Sequence, residues 1–133
     1  MNHKSYLKGN PEVFKSLTKL ATKEPLLMLN YLKYKDHVSE TGLSGKVSYQ
    51  LYLKAAAPYI KNADAELIFY GSPQLMLIGP EDEALWDEIL IVKYETLQGF
   101  LDMAFNKDYP SELREQALVD SRLVYCKPQS LNP

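Results

Sequence analysis

The sequence predicts an α+β fold built on a four-stranded antiparallel sheet, and three observations carry that expectation. The elements run helix, then strand–helix–strand, then strand–helix–strand. Two such units with right-handed crossovers give the ferredoxin-like arrangement, with both main helices on one face. The first strand, Leu26–Tyr34, breaks the usual alternation of apolar and polar: Leu26, Met28 and Leu32 point one way, Leu27, Leu29 and Tyr31 the other. The third strand, Trp86–Tyr94, is also apolar on both sides in its middle. Helices cover only one face, so the other needs a second cover. A second copy packed sheet to sheet is the simplest, which makes the expected partner the chain itself, as a homodimer.

The 133 residues fit one domain. Residues 10–21 read as an added N-terminal helix and 25–127 as the ferredoxin-like core. Asn10 suits the cap of that helix, Pro11 its first position and Glu12 its positive end, with Phe14, Leu17, Leu20 and Ala21 at helical spacing. Pro25 bars its continuation. A polar loop, 35–46, follows the first strand. The next helix spans about Val47 to Asn62, with Tyr49, Tyr52, Leu53 and Ala56 on its inward stripe and Pro58 set to disturb its last turn. Ala65–Tyr70 is the second strand, and Leu75–Ile78 a further short extended piece between Pro73 and Gly79-Pro80. After the third strand, Thr96 caps a helix whose inward face is Leu97, Phe100, Leu101, Ala104 and Phe105. Ser111 caps a short helix ending near Leu118, and Asp120–Lys127 is the last strand.

Bulk chemistry narrows the function classes. Net charge is −2 and the pI is near 5.7, with no clustered basic face of the kind nucleic acid requires. No apolar run approaches the roughly 18–20 residues that cross a bilayer, and the start of the chain lacks a signal-peptide core. A lone cysteine, Cys126, allows no internal disulfide and suits a reducing, cytoplasmic setting; its isolation favours structural burial. There is no Gly-rich phosphate loop and no acyl-transfer motif. The two histidines, His3 and His37, form no cluster, so neither metal nor other cofactor is expected. Ten tyrosines stand against four phenylalanines and one tryptophan, a bias that suits half-wet pockets as well as strands.

Four stretches resemble the domain-of-unknown-function family numbered thirteen-thirty, of the dimeric α/β barrel superfamily. They are Leu29-Asn30-Tyr31-Leu32-Lys33-Tyr34-Lys35, the tyrosine-bearing helix with Ala57-Pro58, the Trp86-Asp87 opening, and Ala117-Leu118-Val119-Asp120-Ser121-Arg122. The resemblance covers roughly Pro25 to Lys127. It implies a ferredoxin-like subunit and a barrel-like dimer, and no established activity. The superfamily includes antibiotic-biosynthesis monooxygenases, muconolactone isomerases and stress-responsive barrel proteins, so it bounds the fold more than the chemistry.

Four polar or aromatic side chains remain as candidate ligand-binding groups, with no residue assigned as catalytic. Asn30 is an amide in an apolar strand: a satisfied core amide, or a donor to a substrate carbonyl or oxyanion. Tyr49 shares a helix face with Tyr52 and either fills core volume or points a hydroxyl into a cavity. Trp86 could wall such a cavity or simply pack. Arg122 could grip a carboxylate, or bridge to Asp87 or Glu66. The expected function is a small-molecule-binding homodimer with a pocket between sheet and helices. It would be a cofactor-independent enzyme of isomerase or monooxygenase type or, as the alternative, a non-catalytic binding or stress-related dimer.

Overall fold

A computed structural model describes residues 4–20 and 23–132. His3 and Ala21 lie outside them. The order of elements is α1 (Pro11–Thr18), β1 (Leu26–Tyr34), α2 (Gly45–Asn62), β2 (Ala65–Gly71), β3 (Glu88–Tyr94), α3 (Leu97–Ala104), α4 (Ser111–Ala117) and β4 (Leu118–Cys126). The four strands form one sheet in the order β2-β3-β1-β4, with every neighbouring pair antiparallel. That is the ferredoxin-like topology the sequence predicts, with β1 and β3 central.

Alternation along the central strands decides what faces the helices. Leu26, Met28, Asn30 and Leu32 of β1 are buried, as are Glu88, Leu90, Val92 and Tyr94 of β3. They pack against Tyr49, Tyr52 and Ala56 of α2 and Leu97, Phe100 and Leu101 of α3 to form the core. The other row, which includes Leu27, Leu29, Tyr31, Ile89 and Ile91, is only partly buried. Both rows are mainly apolar, so the expectation of a second, uncovered apolar face stands.

Several elements differ from the sequence reading. Asn10 caps α1 as expected, its side chain accepting from the N–H groups of Glu12 and Val13. Helix α2 begins at Gly45 rather than Val47, because Ser44 accepts the Val47 N–H and is the true cap. It runs through Pro58 to Asn62. The loop before it is less polar in its packing than in its composition: Val38 is fully buried and its N–H donates to the Leu43 carbonyl. Leu75–Ile78 is no strand. Leu75, Leu77 and Ile78 are 78%, 88% and 96% exposed in a loop between β2 and β3, because that segment finds no strand to pair with. Trp86 and Asp87 precede β3, where the Asp87 N–H donates to the Leu32 carbonyl. Phe105 caps α3 and stays exposed; Met103 takes the inward place instead. Ser111 is the first residue of α4 and caps nothing, the cap position being Pro110, which has no side chain to accept. Strand β4 starts two residues earlier than expected and bulges near Lys33 and Tyr34 of its neighbour. Cys126 is free and half-buried.

The N-terminal segment is fastened to the edge strand. The Tyr6 N–H donates to Asp120 Oδ1 at 2.8 Å, and Ser121 Oγ donates to the Tyr6 carbonyl at 2.6 Å. Burial works to raise the Asp120 pKa, but donation from the Tyr6 N–H, the Arg122 guanidinium and the Ser121 N–H outweighs it and holds the carboxyl below its ordinary range. Helix α1 has no buried residue; its Phe14 stacks on Phe100 of α3 and meets Phe105 edge-on.

Candidate functional site

Between the helix-facing side of the sheet and helices α2, α3 and α4 lies a hollow of about 850 Å³, open on one side. This is within the size range of small-molecule sites. Its floor comes from the central strands, which place Met28, Asn30, Leu90 and Val92 in it by the same alternation that buries them. Its walls are aromatic. Tyr49 and Tyr52 come from α2, Tyr94 from β3, Phe100 from α3 and Tyr109 from the turn before α4.

Arg114 reaches this hollow from α4. The short helix packs its Ala117 inward, and Arg114, three residues earlier, shares that face. Its Nη2 donates to Asn30 Oδ1 at 3.4 Å, and the Asn30 Nδ2 donates in turn to the Leu90 carbonyl at 3.3 Å. Asn30 is 8% exposed and is satisfied on both sides of its amide, so it holds the guanidinium as well as lining the floor. The Arg114 charge also acts on the buried Tyr49 phenol, offsetting part of the rise that burial imposes. Among the described residues no carboxylate lies within ion-pair distance of Arg114.

The tyrosines form a ladder. Tyr34, Tyr49, Tyr52 and Tyr109 follow one another with ring centroids 5.6, 5.2 and 6.1 Å apart, and the hydroxyls of Tyr52 and Tyr109 are hydrogen-bonded. Burial pushes Tyr49 and Tyr52 well above the ordinary phenol value, with Arg114 offsetting part of the rise. It does the same to Tyr94, and lifts Tyr109 to about 12. These hydroxyls are therefore neutral donors at neutral pH.

At the far end of the ladder sits a buried acid that the sequence reading passed over. Glu88 is 6% exposed. It accepts from the hydroxyls of Tyr34 and Tyr70 and from Ser72 Oγ at 3.1 Å, and lies 3.9 Å from Lys46 Nζ. Burial, then the bond to Glu88, raises Tyr34; the same two causes lift Tyr70 to about 12. The end of β1, the start of α2 and the end of β2 with the residue after it converge on this one carboxylate, a pattern that fixes the sheet edge to the start of α2.

The four residues singled out from sequence separate into two pairs. Asn30 and Tyr49 share the hollow. Trp86 and Arg122 do not line it. The outward row of the sheet carries Tyr31 opposite Arg122, and Trp86 packs against Tyr31 with the Arg122 guanidinium 5.0 Å above its ring. Arg122 bridges to Asp120 at 2.7 Å rather than to Asp87 or Glu66, and also covers Tyr6 at 4.7 Å. It borders a smaller hollow of about 400 Å³ beside the edge strand. Within the hollow the missed residue is Arg114. Its one sequence signal was the three-residue spacing to Ala117 on a helix too short to show a stripe.

No protein-family model matches the chain, and no curated protein matches it. Solved structures do. A protein of unknown function from Rhodopseudomonas palustris is 27% identical over 96% of this chain and 99% of its own, with a TM-score of 0.84. A cofactor-independent oxygenase from Streptomyces nogalater is 11% identical over 83% of this chain and 98% of its own, TM-score 0.52. A hydroxynitrile lyase from Passiflora edulis is 14% identical over 84% and 100%, TM-score 0.53. At those identities the last two show the shared fold alone. The chain thus shares its ferredoxin-like fold with proteins of unknown function and with two enzymes. No family-model match accompanies the resemblance to the family numbered thirteen-thirty. No helix among the described residues is long and apolar enough to cross a membrane, and they hold no group of three or more His, Cys, Asp or Glu side chains placed to bind a metal.

Proposed function

We propose that this chain is a small-molecule-binding protein that works as a two-fold dimer, its ligand lying in the hollow between sheet and helices. One observation carries the reading: a mainly apolar cavity of about 850 Å³ in which Arg114 is hydrogen-bonded to Asn30, with Tyr49 in the same lining. Donors gathered in a low-dielectric site suit a carbonyl or enolate oxygen, which is stabilised by hydrogen bonds alone. Such a site supports cofactor-independent chemistry, and two enzymes of the same fold carry names of that kind or of a lyase.

The binding test uses a neutral apolar dye, Nile red. Wild type should bind it at micromolar concentration. Ala104→Phe, which narrows the hollow from α3, should bind at least fivefold more weakly at an unchanged melting temperature. Equal binding by the two proteins would remove the cavity from the reading.

The dimer rests on the outward sheet face, where Leu27, Leu29, Ile89 and Ile91 of the central strands lie beside Phe69 and Val124 of the edges. A stable interface takes roughly 800 Å² from each partner, and a continuous apolar sheet face is such a surface. Sedimentation of the wild type should give twice the 15.2 kDa chain mass. Ile91→Lys places a charge at the centre of that face and should give the single chain, still folded by circular dichroism. A wild type that sediments as one chain at micromolar concentration would end the dimer proposal.

A further inference from the structure

We infer that the ligand of this hollow is an organic anion, a carboxylate or an enolate on a flat apolar body, gripped by Arg114; the inference rests on the binding site proposed above. The argument begins with an imbalance of charge. A guanidinium has five N–H donors in a planar fork and is ionised at any pH the protein meets. Placed against a low-dielectric wall, it calls for an opposite charge. The hydrogen bond that Arg114 makes goes to Asn30 Oδ1, which is neutral, and the Tyr49 side chain that shares the hollow carries no charge either.

The neighbours do not supply the missing charge. Glu112 and Glu115 border the hollow from α4, as do Lys8 and Lys107 at its mouth, but neither glutamate makes an ion pair with Arg114. The surrounding tyrosines remain neutral for the reason given above. Glu88, the one deeply buried carboxylate among the described residues, is already engaged by Tyr34, Tyr70, Ser72 and Lys46. The Asn30 amide, anchored on the Leu90 carbonyl, fixes the guanidinium from one side and leaves its remaining donors for the cavity. That is the arrangement in which arginine takes a carboxylate through two parallel bonds.

The rest of the cavity sets the shape of the ligand. Past the polar end the lining is Met28, Leu90, Val92, Phe100 and Met103, with the rings of Tyr52 and Tyr94 standing beside them. Aromatic rings and thioethers pack best on a flat apolar body. An aryl carboxylate or the enolate of an aryl ketone meets both demands at once: charge at one end, ring at the other.

The test compares two probes of equal shape, 2-naphthoate and its neutral analogue 2-naphthamide, by calorimetry at neutral pH and low salt. Wild type should bind the naphthoate at least tenfold more tightly. Arg114→Gln should bring the two probes to equal affinity by weakening the naphthoate alone, and Arg114→Lys, which keeps the charge and loses the fork, should restore part of the preference. Equal affinity of the wild type for both probes would overturn the inference and leave the binding site standing. A preference that survives in Arg114→Gln would overturn it as well. If neither probe binds at millimolar concentration, the proposed binding site itself fails and takes the inference with it. Should Arg114→Gln not fold, the wild-type pair and Arg114→Lys still decide the matter.

Discussion

Alkali should unfold this protein abruptly between pH 10 and 12. Tyr49, Tyr52, Tyr94 and Tyr109 are held neutral by burial in the folded chain, with Tyr109 lifted to about 12 and the others at least as strongly displaced. In the unfolded chain each ionises near its ordinary value of 10.0. A group whose folded pKa is raised contributes stability that is fully present below the unfolded value and is lost as pH climbs toward the folded one. Above pH 10 the unfolded state therefore binds fewer protons, and stability falls with rising pH. Each such group costs about 1.4 kcal/mol per pH unit, so four together cost roughly 5 kcal/mol per unit. A domain of this size has a margin of about 5–15 kcal/mol, which that slope consumes within a few units. Phenolate absorbance and far-ultraviolet circular dichroism, followed together on one alkaline titration, check the expectation. The late part of the phenolate signal should rise in step with loss of helix. Ionisation of nearly all ten tyrosines with native dichroism intact would show that the ladder is open to solvent.

Gly45→Ala should be among the most damaging conservative changes in the chain. A Cβ at this position would stand 2.3 Å from the Lys35 carbonyl oxygen, 2.6 Å from the Lys35 nitrogen and 2.7 Å from the Ala117 carbonyl oxygen. All three are backbone atoms. They belong to a junction where the Lys35 N–H donates to the Ala117 carbonyl and the Gly45 N–H donates to the Lys35 carbonyl. The end of β1, the start of α2 and the end of α4 meet there, and no side chain can swing aside to make room. Overpacking against rigid neighbours costs about 3 kcal/mol, a loss of roughly 10 °C in melting temperature. Gly42→Ala is the control. Its φ of 72° strains any side chain, but open space surrounds it, so the loss should stay near 1 kcal/mol. Urea unfolding of the two variants separates the effects. A Gly45→Ala protein within 1 kcal/mol of wild type would mean that the junction can part.

The reach of the junction explains why the loop before α2 was hard to read. Gly42, Ser44 and Gly45 look alike as loop-formers in sequence, yet they do different work. Gly42 turns the chain, Ser44 caps the helix and Gly45 lets two backbones touch. Nothing local marks that third role, since the atoms it makes room for lie 10 and 72 residues away.

What the sequence determined by itself was the set of strands, the topology and the two-sided apolarity of the sheet. Those follow from a period of two, from caps and from breakers, all of which are local. The same periodicity put Asn30 in one row with Leu26, Met28 and Leu32, and helical spacing put Tyr49 with Tyr52; both facts survive in the hollow. Tertiary structure alone decided which charges enter it. Arg122 sits opposite Tyr31, and that register, with the bulge beside Lys33 and Tyr34, turns it to the outward row with Trp86. Arg114 comes from a seven-residue helix whose inward face exists only once α4 has docked. Glu88 is polar in sequence like any strand-end residue, and becomes a buried acid only because Tyr34, Lys46 and the Tyr70–Ser72 stretch close around it from three separate places in the chain. A charge can be buried where folding brings distant groups to meet it, and no local pattern records such a meeting.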